Sequence, residues 1–171
     1  AATQSDGRGR RGRTWHSPKG GGLFATTVVY PKCPREKAHQ LSLVTGIAIH
    51  QSLIELGAGD AKLKWPNDIL VNDRKLCGIL LECVELKDAQ SAHDQAVLIG
   101  YGLNLTASGE LDLPNDIKDL YIGLNELSES AHSAENCTEL ILEKLEAAIG
   151  DWAQNGLSAT LDYWNKADAL A

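Results

Sequence analysis

The sequence predicts an α+β fold, strands with helices inserted among them. Apolar and β-branched runs at 23–30, 76–86 and 96–105 read as strands. Helical periodicity appears at 36–56 and again, more strongly, at 133–156. The helices are inserted between groups of strands rather than alternating with them, which favours α+β over a doubly wound sheet. In chain order, 6–22 is Gly- and Arg-rich, without periodicity, and reads as a loop. The strand at 23–30 is stopped by Pro31 and Pro34. The helix at 36–56 presents Leu41, Val44, Ala48, Leu53 and Leu56, with Gly57 as its C-cap. Short strands follow at 61–65 and 69–71, the first halted by Pro66 and the second turned by Asn72-Asp73. Residues 76–86 read as a strand buried on both faces and 96–105 as the next buried strand, with 87–94 a polar loop between them. An acidic loop fills 106–120. The helix at 133–156 has Ser133 as N-cap, Gly156 as C-cap and Leu140, Leu142, Leu145 and Ile149 among its apolar positions. A last helix spans 157–167.

The 171 residues set one domain, 1–171, as the expectation. A hydrophobic share of 43% and a charged share of 23% exclude a disordered chain. No apolar run reaches the roughly 18 residues that span a bilayer. No leader is visible, and the chain contains no Met, so a processed or truncated segment is expected. The net charge of −7 hides an asymmetry. Residues 1–20 hold five basic side chains and one acid, while the other 151 hold 11 basic and 22 acidic ones. A basic loop on an acidic body argues against a nucleic-acid face and suits a small polyanion held at one place. Cys33, Cys77, Cys83 and Cys137 show no metal spacing and read as buried thiols of a reducing compartment. Asn104-Leu105-Thr106 and Asn136-Cys137-Thr138 read as chance matches to the glycosylation pattern.

Four segments are able to carry chemistry. GRGRRGRTW at 7–15 contains G-x-G-x-x-G, but a strand follows it where a dinucleotide fold needs a helix, and it lacks the P-loop lysine. What remains is a flexible loop with backbone N–H groups between guanidinium forks, which bind phosphate bidentately. Trp15 is either a flat face for a ligand ring or a core staple. In KWPNDILV at 64–71, Asp68 suits a magnesium ion and Asn67 a ligand hydrogen bond, although both are also ordinary turn residues. In RKLCGILLE at 74–82, Lys75 either neutralises an anion or snorkels from a strand end. In IGYGLN at 99–104, alternate glycines let a ligand lie against a sheet. There is no G-x-S-x-G, no H-E-x-x-H and no Cys/His cluster, and the five histidines are scattered.

Together and in this order the segments resemble the catalytic domain of biotin protein ligase, biotin–[acetyl-CoA-carboxylase] ligase. GRGRRGR-x-W-x-S-P matches 7–18, KWPND-[IL] matches 64–69, [DR]-x-KLAGIL-x-E matches 73–82 with Cys77 in place of Ala, and IG-x-G-[IL]-N matches 99–104. The resemblance covers about residues 3–168. It implies a fold related to class II aminoacyl-tRNA synthetases, with helices on one side of a mixed sheet. It implies an ATP- and Mg²⁺-dependent ligase that forms biotinyl-5′-AMP and acylates a lysine of a biotin carboxyl carrier protein. By motif match, Gln4, the Arg8–Gly9–Arg10 stretch, Lys75, Gly78, Gly100 and Gly102 bind biotin. Arg10, Arg13, Trp15, Asn67 and Asn104 bind ATP or the adenylate, and Asp68 the metal. Lys75 and Arg10 are the catalytic pair. A closing loop shields the adenylate from water. Two anions must be brought together against their repulsion, which is what clustered Arg and Lys achieve. The resemblance further implies a cytoplasmic protein, no membrane partner and a possible homodimer.

The family also carries an N-terminal strand and helix with a Ser/Thr-Thr-Asn motif and a C-terminal SH3-like domain. Neither is in this sequence, and Gly20-Gly21-Gly22-Leu23 lacks the family's Asn. The expectation is a fragment of a longer protein. The alternatives are a lipoate ligase or octanoyltransferase-like enzyme, a repressor-type binding module, and a non-catalytic relative.

Overall fold

The computed structural model describes residues 1, 3–86 and 94–170. Its five strands are β1 (Gly22–Val29), β2 (Lys62–Lys64), β3 (Asp68–Val71), β4 (Arg74–Glu85) and β5 (Gln95–Asn104). Its helices are α1 (Arg35–Ala38), α2 (Leu41–Glu55), α3 (Asn115–Lys118), α4 (Ala134–Asn155) and α5 (Ser158–Ala167). The strands form one sheet in the order β1-β5-β4-β3-β2. Every ladder is antiparallel. Among the described residues, parallel pairing is confined to the isolated bridges Leu63–Asp168 and Lys75–Tyr121.

The short connections follow from the sequence. Asn72 and Asp73 make the two-residue β3–β4 turn, both with left-handed backbone (φ 49° and 61°). That conformation suits a hairpin turn, and Asn and Asp tolerate it best. α4 starts where Ser133 Oγ accepts from the Asn136 amide (3.2 Å) and stops at Gly156, whose φ is +76°. Its buried stripe is Cys137, Ile141, Leu145 and Trp152, a spacing that keeps one helix face inward; Leu142 is turned to solvent.

The single helix expected over 36–56 is two. Pro34 starts α1, and the chain then makes three-residue turns through His39 and Gln40, with Gln40 N on Lys37 O and Leu43 N on Gln40 O. Trp152 Nε1 donates to Gln40 Oε1 (2.9 Å), so this junction is where α4 is fastened. α2 is buried nearly all round because it lies between the sheet and α4 and α5. Leu41, Ile49, Leu53, Leu63, Ile99 and Leu103 are fully enclosed there. Each contributes about 2 kcal/mol of burial.

The strand expected to be buried on both faces is so only at Leu76–Ile79; from Glu82 to Glu85 it is exposed. β3 pairs with β4 no further than Gly78, so the outer half of β4 runs on beyond its neighbour. Residues 6–22 are also more ordered than a plain loop, as described below. The acidic stretch 106–120 contains a short 3₁₀ turn and α3. Of the polar loop 87–94, residues 87–93 lie outside the described residues. Among the described residues no helix is long and apolar enough to cross a membrane.

His50 ties α2 to α5 and to the residue just before β2. One ring nitrogen, Nε2, lies 2.9 Å from Ala61 O and the other, Nδ1, 2.9 Å from Tyr163 Oη. Donating Nε2–H and accepting at Nδ1 satisfies both with a neutral ring. Burial holds the imidazole below its ordinary 6.5, against the smaller opposing pull of the Ala61 carbonyl. The folded state therefore binds the proton less well than the unfolded chain. The stability His50 confers is present above about pH 6.5 and is lost as the pH falls from there towards the lowered folded value. Melting temperatures taken across that window are expected to fall more steeply for the native chain than for His50→Gln.

Candidate functional site

The helices cover the sheet face bearing Ile79, Tyr101 and Leu103. On the other face Gly78 and Gly102 sit side by side, paired in register across β4 and β5. With no side chain they leave a shallow floor, and the N-terminal segment folds back onto it. Residues 7–15 form a small hairpin. Arg8 bridges Thr14, Gly9 N donates to Arg13 O (2.7 Å) and Trp15 N donates to Gly7 O (2.8 Å). The hairpin tip, Arg10–Gly12, is a 3₁₀ turn in which Arg11 takes left-handed backbone (φ 57°). Gly7 is required at the base, because a Cβ there would stand 2.3 Å from Trp15 O. The return strand is pinned by Thr3 Oγ1 donating to Ser17 O (2.8 Å) and Ser17 Oγ donating to Gln4 Oε1 (2.7 Å).

Trp15 lies flat on the glycine floor. A Cβ at Gly102 would come within 2.6 Å of its ring atoms, and one at Gly78 within 2.7 Å. Both alternatives for Trp15 thus hold in part: it is a half-buried packing residue, and its packing surface is the floor of the candidate site. Its Nε1–H is buried and has no hydrogen-bond partner among the described residues. Lys75 Nζ stands 5.1 Å from the ring centroid and pairs with Asp68 Oδ1 at 2.8 Å. Arg10 Nη1 donates to Asn67 Oδ1 (3.1 Å), while Asn67 Nδ2 donates to Ile79 O (2.9 Å). The hairpin and the β2–β3 turn are joined through that amide. Arg10, Trp15, Asn67, Asp68, Lys75, Gly78 and Gly102 therefore meet at one place.

The remaining candidates lie around it. Arg8 and Arg13 are exposed on the hairpin. Gly9 has spent its N–H inside the hairpin, and Gln4 has spent its side-chain oxygen on Ser17. Gly100 lies further along the same strand, where a Cβ would make only ordinary contact, 3.4 Å from Leu80 O. Asn104 is buried, and its Nδ2 donates to Lys75 O (2.8 Å).

Sequence reasoning missed what holds Lys75. Its N–H donates to Leu120 O (2.6 Å) and its carbonyl accepts from Ile122 N (3.1 Å). Tyr121, between them, is buried and donates to Gly21 O (3.0 Å). The short apolar run at 120–122, after the acidic stretch, was the available signal. Cys77, two residues further along β4, is fully buried, and burial pushes its thiol up to about 12. A thiol so protonated is no nucleophile.

The chemistry of the arrangement is charge neutralisation. The Lys75 ammonium and the Arg10 guanidinium meet beside the glycine floor that Trp15 covers, and Arg8, Arg11 and Arg13 are exposed on the same hairpin. Such a site orients and neutralises anions.

Comparison with known proteins places this geometry. Residues 1–104 match the sequence model of the Biotin/lipoate A/B protein ligase family. The Bifunctional ligase/repressor BirA of Salmonella typhimurium is 37% identical over 169 residues, 98% of this chain and 50% of that protein. The biotin–[acetyl-CoA-carboxylase] ligase of Paracoccus denitrificans is 40% identical over 111 residues, 63% of this chain and 44% of that protein. The chain spans about half the length of the curated relatives it matches. Among solved structures, the biotin protein ligase from Aquifex aeolicus in complex with biotin and ATP superposes with a TM-score of 0.81 at 25% identity, covering 98% of this chain and 66% of that one. The Leishmania major biotin protein ligase in complex with biotinyl-5-AMP gives 0.76 at 25% identity, covering 99% and 69%. With more than half of its length matched by the family model, the chain belongs to the biotin/lipoate A/B protein ligase family.

Proposed function

We propose that the protein activates biotin with ATP as biotinyl-5′-AMP and passes the biotinyl group to a lysine of a biotin carboxyl carrier protein. The observation that carries this reading is the Lys75 ammonium held beside the glycine floor, paired with Asp68 and next to the Arg10–Asn67 contact. Relatives named as biotin–[acetyl-CoA-carboxylase] ligases, and neighbours bound to biotin, ATP or biotinyl-5-AMP, support it.

In the first step a biotin carboxylate oxygen bonds to the α-phosphorus, and the bond from that phosphorus to the leaving pyrophosphate breaks. Lys75 neutralises the carboxylate on its approach and the phosphoanhydride as it forms. Arg10 and Arg13 face the phosphates, with Arg10 released from Asn67 to do so. Gly78, Gly100, Gly102 and the backbone of Arg8–Gly9–Arg10 line the acid, with Gln4 at the rim. Trp15 gives up part of the floor and packs on the adenine side, and its unpartnered Nε1–H has an acceptor once a ligand oxygen arrives. Asn104 and Asn67 complete the nucleotide contacts. In the second step a neutral lysine amine bonds to the carboxyl carbon, the carbon–oxygen bond to AMP breaks, and the amine releases a proton to solvent.

Mg²⁺ would be held by Asp68 together with phosphate oxygens, supplying charge neutralisation to the triphosphate. Among the described residues no group of three or more His, Cys, Asp or Glu side chains is gathered for a metal. A single carboxylate suits magnesium, which takes one or two carboxylates and completes its shell with phosphate and water. The four cysteines are free, which fits a cytoplasmic protein, but only Cys77 and Cys137 are buried as expected; Cys33 is half-buried and Cys83 is exposed, on the outer half of β4 that runs on past β3.

Biotin-dependent ATP–pyrophosphate exchange, run with lipoate and no-acid controls, tests the reading. Exchange with biotin alone is expected. Exchange with lipoate alone would make this a lipoate-type enzyme, and exchange with neither would overturn the assignment for this chain.

A further inference from the structure

Trp65 is 66% exposed, an unusual position for a tryptophan. Its mount is nevertheless fixed. The turn carrying it is closed by Asn67 N on Lys64 O (3.2 Å), fastened to α2 by Ser42 Oγ donating to Pro66 O (3.2 Å), and fastened to β4 by Asn67 Nδ2 on Ile79 O. The indole is thus presented to solvent by rigid backbone, two residues from the amide that Arg10 grips. It is also a second indole, since the ring on the glycine floor belongs to Trp15. Its surroundings are basic. Lys62 and Lys64 are exposed on β2, which leads into the turn, and the Arg10–Asn67 contact brings the arginine hairpin alongside. The rest of the chain carries twice as many acids as bases.

A rigid, exposed aromatic ring in a basic rim is a protein-docking feature: tryptophan anchors dominate interfaces, and rim charges select the partner. We propose that Trp65 anchors the acyl-acceptor protein, a folded domain presenting its target lysine within an acidic, partly apolar surface. This rests on the ligase reading and adds to it the place where the second substrate docks. On that reading biotin and ATP take the floor around Lys75, and Trp65 lies outside it.

The test uses Trp65→Ala and Trp65→Phe in the full chain, with the unmodified biotin-accepting domain of an acetyl-CoA carboxylase as probe. Pyrophosphate exchange, and transfer of biotin from the adenylate to hydroxylamine, are expected to stay within about twofold of the native rates. Transfer to the domain is expected to lose roughly tenfold in kcat/KM through KM in the Ala variant, with partial recovery in the Phe variant. Fluorine NMR with fluorotryptophan gives an activity-independent readout: the Trp65 resonance should move on adding the domain and stay put on adding biotin and ATP. Unchanged transfer would overturn the proposal. A raised KM for ATP in the exchange assay would overturn it in favour of a nucleotide contact. A Trp65 resonance shielded from solvent before any partner is added would also overturn it, showing that the chain itself covers the ring. Loss of biotin-dependent exchange in the native chain would sink the ligase reading instead, and the NMR titration would still decide whether the domain docks at Trp65.

Discussion

Lys75→Ala is expected to lower biotinyl-adenylate formation by about a hundredfold or more while the cooperative melt survives. The two halves of that expectation come from different atoms of one residue. Among the described residues the ammonium is the one side-chain cation paired with Asp68, so its removal leaves a carboxylate to repel the incoming acid and triphosphate. The backbone, by contrast, is held by Leu120 O, Ile122 N and Asn104 Nδ2, and none of these contacts involves the side chain. Arginine at the same position keeps the charge but not its shape, and should restore activity only in part. Near-normal biotinyl-AMP synthesis by the Ala variant, measured in single turnover, would remove Lys75 from the reaction.

Arg10→Ala should chiefly affect retention. Its guanidinium links the hairpin to the sheet through Asn67 Oδ1, and in the proposed reaction it turns from that amide to phosphate. Losing a bidentate, charge-assisted donor is expected to shorten the lifetime of bound adenylate roughly tenfold. Adenylate release into a rapid-dilution trap measures this directly. Asn67→Ala in the same background tests the linkage: if both residues act through one contact, the double variant should release no faster than the single one. An unchanged lifetime in Arg10→Ala would mean that the hairpin does not close on the product.

Most of the sheet was legible in the sequence because β-branched runs and Pro stops mark strands locally. α4 was legible for a similar reason, since its cap residues, Ser133 and Gly156, are themselves local signals. The break between α1 and α2 was not. His39 and Gln40 keep helical backbone angles, so apolar periodicity runs through them, and only the hydrogen bonding tightens. The candidate site was legible as residue types: Arg10, Asn67, Asp68, Lys75 and the paired glycines. The clamp on Lys75 was not legible, because Leu120–Ile122 is distant in sequence and sits after an acidic, loop-like tract. Trp15 could not be placed either. Its position depends on the bare floor at Gly78 and Gly102, a property of strand register rather than of its own neighbours.

The bond from the Lys75 amide to Leu120 O gives that one proton an unusual history. An amide inside a sheet ladder exchanges with solvent only when strands part; this one exchanges when a connecting segment lifts away. Its protection therefore measures the opening free energy of the segment around Leu120–Ile122, separately from global unfolding. Measured beside the ladder amides of β5, it would report how often the strand end bearing the central cation loses its support while the rest of the protein remains folded.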